Sequence, residues 1–262
     1  MTQQSNHAHA FRDLLALALA TVFPSLITLV YFQWLHNSES ASQQIAFGLG
    51  KLLQFVFPVT FIWFFYREKL PWSVRQIRNS PILRDYENDL LPTRSFPIFA
   101  GIAFGIAIAI AMWAIFFGLI PASIAANLEL QVTQKITSMG LQKFSHFLLL
   151  AVFYVVCHSF MEEYYWRWFV FDLWRRYLTM AAANFLSSVG FMAHHVIVLA
   201  YYFGWDSPLT YLFSCCVGIG GSFWAWLYGQ ENRLRSAWIS HAIVDAAIFG
   251  LGMWLMFRFK NT

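Results

Sequence analysis

The feature that most constrains this chain is a series of seven apolar runs, each close to the roughly 20 residues that a helix needs to cross bilayer hydrocarbon. They fall at 12–34, 45–65, 97–120, 144–166, 179–203, 209–229 and 236–257 of 262 residues. Backbone in lipid has no water to bond, so such a run satisfies its own N–H and C=O groups as a helix. The prediction is an all-α fold: a polytopic transmembrane helix bundle of about seven to eight helices, with 1–262 as a single integral membrane domain. Composition agrees: 11% of the residues are charged and 59% apolar, whereas soluble domains carry about 25% charge.

The few charges are unevenly placed. Tyr66 to Ser95 is the one long polar stretch, with six cations against four acids, and Pro71, Pro81 and Pro92 argue against a continuous helix there. Pro121 to Lys143 is weakly amphipathic and suits a position on the membrane surface. With the N-terminus in the cytoplasm, that side holds Arg12, the six loop cations, Arg167, Arg175, Arg176, Arg233 and Arg235, twelve in all. The other side holds five: Lys51, Lys135, Lys143, Arg258 and Lys260. The positive-inside rule then predicts a multi-pass protein of the cell membrane with its N-terminus cytoplasmic. Arg258 and Lys260 fit this less well, which allows a shorter or re-entrant last span, or one more short helix.

The net charge of +4 lies in short segments between apolar runs, a pattern that suits lipid headgroups and not nucleic acid. Met1 to Ala10 is polar, and the run after it is long and lacks a small-residue cleavage site, so it reads as a retained span. Cys157, Cys215 and Cys216 are odd in number and sit in apolar runs, as small buried residues and not a disulfide framework. Gly101-x-x-x-Gly105 and Gly218-x-Gly220-Gly221 read as sites of close helix packing.

An ionisable side chain at bilayer depth costs about 2.5–3.5 kcal/mol on insertion scales, so those inside the runs carry the functional information. They form three groups: Glu162-Glu163-Tyr164-Tyr165-Trp166-Arg167, then Phe191 to His195, then His241 to Asp245. Glu163 and Arg167 are four apart and can pair on one helix face. Glu162 is rotated about 100° from Glu163 and is free to meet another neighbour as a general base on water. His158 lies one turn before it. Asp245, four residues after His241, can orient that imidazole. These residues alone leave three readings open: catalysis, polar glue between helices, and a proton relay in a transporter.

The ordered trio resembles the signature of the CPBP family, the CAAX protease and bacteriocin-processing membrane proteins that include type II CAAX prenyl endopeptidases. The pattern is Glu-Glu-x-x-x-Arg, Phe-x-x-x-His and His-x-x-x-Asn or Asp. The resemblance spans about residues 144–250, taken as the catalytic core, while the first 140 residues match only in being hydrophobic. It implies an intramembrane endopeptidase with a cavity opening to the cytosolic side, acting on a peptide or membrane-protein substrate among membrane lipids. In that reading Glu162 activates water, His195 helps to hold it, and His241 with Asp245 serves the oxyanion. Glu163 and Arg167 brace the site. CAAX-cleaving members have Asn where this chain has Asp245, and a carboxylate accepts but does not donate to an oxyanion. Asp245 therefore orients His241, is protonated, or binds metal. The expected mechanism uses no cofactor. The alternative is zinc held by Glu162, His195, His241 and Asp245, although no His-Glu-x-x-His signature occurs. A non-catalytic membrane binding, immunity or chaperone-like protein on the same scaffold, or a transporter, is the alternative function.

Overall fold

The computed structural model describes residues 2–35, 40–66 and 96–257. Eight helices follow one another with no strand among the described residues: α1 (Thr2–Leu29, continued by a π-helical turn, Val30–Trp34), α2 (Ser40–Tyr66), α3 (Phe96–Gly118), α4 (Ala122–Ser138), α5 (the continuous span Phe144–Trp174), α6 (Met180–Phe203), α7 (Pro208–Glu231) and α8 (Arg235–Phe257). All but α4 are long and apolar enough to cross a membrane. Expected limits agree with the observed membrane-span limits within a few residues except in α5, which runs eight residues past the expected end at 166, while helix α1 itself begins ten residues before the expected start at 12. In the sequence Arg167 reads as a rim charge that ends the span. In the fold Arg167 is 0% exposed and ion-paired, so the helix continues through it.

Local chemistry sets the helix ends. Thr179 Oγ1 accepts a hydrogen bond from Ala182 N at the start of α6, and Gly204, at φ 90°, ends it in a conformation that suits a residue without Cβ. Pro208 opens α7 in its first turn, where its missing N–H costs nothing. Asn232 closes α7 in the left-handed region, and Glu231 turns back to accept from Ser236 N and Arg235 Nε, tying α7 to α8.

The bundle is greasy outside, and its interior holds charged and polar side chains beside an apolar core. Leu52, Phe64, Ile110, Leu149 and Ile219 lie on its surface, while Gln54, Glu162, Glu163, Arg167, His194 and His241 are buried. Lipid is as apolar as leucine, so helices gain little by hiding leucine and much by hiding charge. The same reason corrects the expectation for the cysteines: Cys157, Cys215 and Cys216 are free but exposed on the outer faces of their helices. Gly101 and Gly105 face α8 so closely that a Cβ would stand 2.6 Å from Ser236 O and 2.9 Å from Ser240 O. Gly221 similarly admits Phe191 of α6.

At one end of the bundle α1, α2 and the turn after α5 are tied by Asp13, which pairs with Arg12 and accepts from Tyr66 and Tyr177. Burial, then Asp13, pushes the Tyr177 hydroxyl's ionisation up, so it remains a donor. Arg176 lies 4.4 Å from the Tyr66 ring and Arg175 Nη2 bonds Asn232 Oδ1. At the other end α4, too short to span, docks through Gln131 on Tyr202 O and Lys135 on Gln43 and the Tyr31 ring. Burial lowers the Lys135 pKa. The basic loop from Arg67 to Ser95, and Arg258 and Lys260, lie outside the described residues.

Candidate active site

In α5 the turn Ser159–Glu163 is flanked by two π-helical segments, Phe153–His158 and Tyr164–Phe171. Such insertions re-aim the side chains around them and recur at functional sites. Glu162 and Glu163 are both buried, at 3% and 0% exposure, and point to different partners. Glu163 Oε2 is 3.0 Å from Arg167 Nε, the pair that the four-residue spacing predicts. The guanidinium packs over Phe191 at 4.9 Å and Trp224 at 5.6 Å, which gives this buried cation both a counterion and two ring faces.

Glu163 also reaches α8. Its Oε1 accepts from His241 Nδ1 at 2.9 Å, and the imidazole lies flat on Trp224, centroids 4.1 Å apart. The residue that orients His241 is thus Glu163. Asp245, expected in that role, has Oδ1 3.6 Å from the other ring nitrogen, Nε2, beyond hydrogen-bond range.

Glu162 stands at the meeting point of four helices. His158 Nε2 of α5 and His194 Nε2 of α6 lie 3.8 and 3.7 Å from its Oε1. His241 Nε2 of α8 lies 3.8 Å from its Oε2, and Lys51 Nζ of α2 lies 3.9 Å from Oε1. The carboxylate lies within 4 Å of all four and is in direct hydrogen bond with none of them at these distances.

Two expectations change. His194, the neighbour of the expected His195, points at Glu162 and stacks on Trp166 with an interplanar angle of 4°. His195 is less buried, and its Nδ1 bonds Phe191 O in its own helix. Lys51, expected among the charges of the far side, lies inside α2 and faces Glu162. Its sequence signal is a cation within an apolar run, with no acid on its own helix to pair with.

The described residues contain one group able to hold a metal ion: Glu162, His194 and His195 each offer a ligand atom, all within 4.8 Å of one another. Tetrahedral zinc sets its ligand atoms roughly 3.4 Å apart, so the Glu162–His194 separation suits it. The group differs from the expected ligand set, since His241 and Asp245 stand outside it.

Glu162 and His194 lie at similar depths along their helices. With α5 ending at Trp174, Glu162 lies 12 residues from that end, about 18 Å at 1.5 Å per residue. His194 lies 14 residues into α6, about 21 Å.

Residues 144–247 match the family model described as type II CAAX prenyl endopeptidase Rce1-like. That segment holds all three motifs and bears out the resemblance over α5 to α8. No curated protein and no solved structure matches the chain.

Proposed function

We propose that this chain, whose residues 144–247 match the Rce1-like family, is a membrane-embedded endopeptidase with Glu162 as the base that activates water. The observation that carries the reading is the convergence of three distant motifs, on α5, α6 and α8, around one buried carboxylate. Polar glue alone would be satisfied by the Glu163–Arg167 pair. Glu162 instead stands among three imidazoles and is in direct hydrogen bond with none of them.

In this mechanism Glu162 takes a proton from water, the hydroxide adds to the scissile carbonyl, and Glu162 later returns the proton to the leaving amine. His194 aligns the water. His241 is the donor to the oxyanion: held by Glu163 through Nδ1, it directs Nε2 into the site, and as an imidazolium it donates from both nitrogens. Asp245 sets a second carboxylate beside Nε2. His195, the expected water-holder, supports the site from behind its neighbour. Cleavage takes place toward the cytosolic face, on a peptide or membrane-protein substrate, with the N-terminus cytoplasmic. Moving Arg167 and Lys51 into the bundle leaves eleven cations against four on the two sides, so the charge bias keeps its sign.

The mechanism runs without metal. The test is a screen of fluorogenic peptides with the purified chain in detergent, products being mapped by mass spectrometry. Cleavage that survives a strong chelator and is lost in Glu162→Ala is expected. Loss with the chelator, restored by added zinc, would instead establish the ligand group Glu162, His194 and His195. Full activity in Glu162→Ala would sink the assignment.

A further inference from the structure

We propose that Lys51 of α2 is a positioning residue for the Glu162 carboxylate, an inference that rests on Glu162 being the base. Lys51 lies about 90 residues before the family-matched segment, and no motif includes it. Its side chain is 14% exposed, and its ammonium sits 5.7 and 5.6 Å from the Phe47 and Phe55 rings, one turn to either side on the same helix.

Charge compensation is the first part of the case. Arg167 is taken up by Glu163 at 3.0 Å. Among the described residues, the only Lys or Arg nitrogen within 4 Å of Glu162 is Lys51 Nζ. A buried carboxylate without a countercharge is costly, and here the countercharge comes from a helix outside the motif-bearing core.

Geometry is the second part. Lys51, His158 and His194 all lie on the Oε1 side of Glu162, whereas His241 lies on the Oε2 side. The ammonium thereby attracts one oxygen and leaves the other turned toward the group proposed to receive the oxyanion. A neutral side chain of similar length would keep the packing against Phe47 and Phe55 and lose this orientation. The aromatic rings flanking the ammonium favour its position beside Glu162 over the membrane surface.

Two measurements on the full-length protein test the inference. In cleavage of a fluorogenic peptide, Lys51→Met is expected to lower kcat at least tenfold with KM within about twofold, and Lys51→Arg to recover most of the loss. In thermal unfolding in detergent, Lys51→Met and Glu162→Gln are each expected to lower the midpoint. The double variant should fall by clearly less than the sum, as coupled charges do. Should Lys51→Met fail to fold, the double variant is expected to fold; its failure as well would overturn the pairing. A Lys51→Met enzyme with kcat within twofold of the parent, or additive unfolding shifts, overturns the proposal. Activity retained in Glu162→Ala removes the base assignment instead, and the unfolding cycle still reports separately on the pair.

Discussion

His194 and His195 show how much a single helix rotation decides. They are adjacent, share the same chemistry and sit in the same motif, yet one faces Glu162 from 3.7 Å and the other bonds its own helix backbone through Nδ1. Motif spacing favours His195, because alignment of a short pattern cannot sense which side of α6 meets α5. Packing does: the Trp166 ring lies parallel to the His194 ring and offset from it, centroids 5.7 Å apart. Replacing His194 by Ala is expected to cost about 100-fold in kcat, in the range for an assisting acid–base group, and His195→Ala markedly less. Peptide turnover by the two variants checks this, and equal losses would point to a shared water or ion between the rings. The i, i+4 pair Glu163–Arg167 is readable from spacing alone, since both ends lie on one helix. Lys51 and Glu162 are not, since over a hundred residues separate them and only tertiary packing brings α2 to α5.

At the scale of elements, the apolar runs place the seven spans well because lipid imposes both length and composition. The α5 limit is misplaced because a charge reads as an end unless its neutralising partner is recognised. Its two π-helical segments have no signal in the hydropathy pattern. The glycines of α3 are readable as packing residues, and the fold shows what they admit: the backbone carbonyls of Ser236 and Ser240 in α8, the helix that carries His241. Gly101→Ala is expected to lower the unfolding midpoint in detergent by several degrees, because its Cβ would meet backbone that cannot turn aside. Gly48, where an added Cβ would meet nothing within 4 Å, is the control: Gly48→Ala should leave the midpoint unchanged or raise it slightly through helix propensity. Equal behaviour of the two would mean that α3 and α8 are less closely apposed.

For the whole molecule, the charges sort into two populations. Arg12, Arg175, Arg176 and Arg235 gather at one end of the bundle, where the termini of α1, α2, α5 and α8 meet. Glu162, Glu163, Arg167, Lys51 and the histidines around them lie within it. In the proposed function the first population orients the protein and the second carries its chemistry. With the three cysteines replaced by Ala, a membrane-impermeant thiol reagent is expected to label Gly140→Cys from outside intact cells. Arg233→Cys should be labelled only after the membrane is opened. The reverse pattern would invert the topology and place the site's nearer rim on the other face.

The most direct measurement of the central claim is kcat for Glu162→Gln, which keeps the shape of the side chain and removes its capacity to take a proton. With the variant folded, and with peptide binding unchanged, a fall of about 10³-fold or more is expected. Turnover within tenfold of the parent would contradict Glu162 as the base.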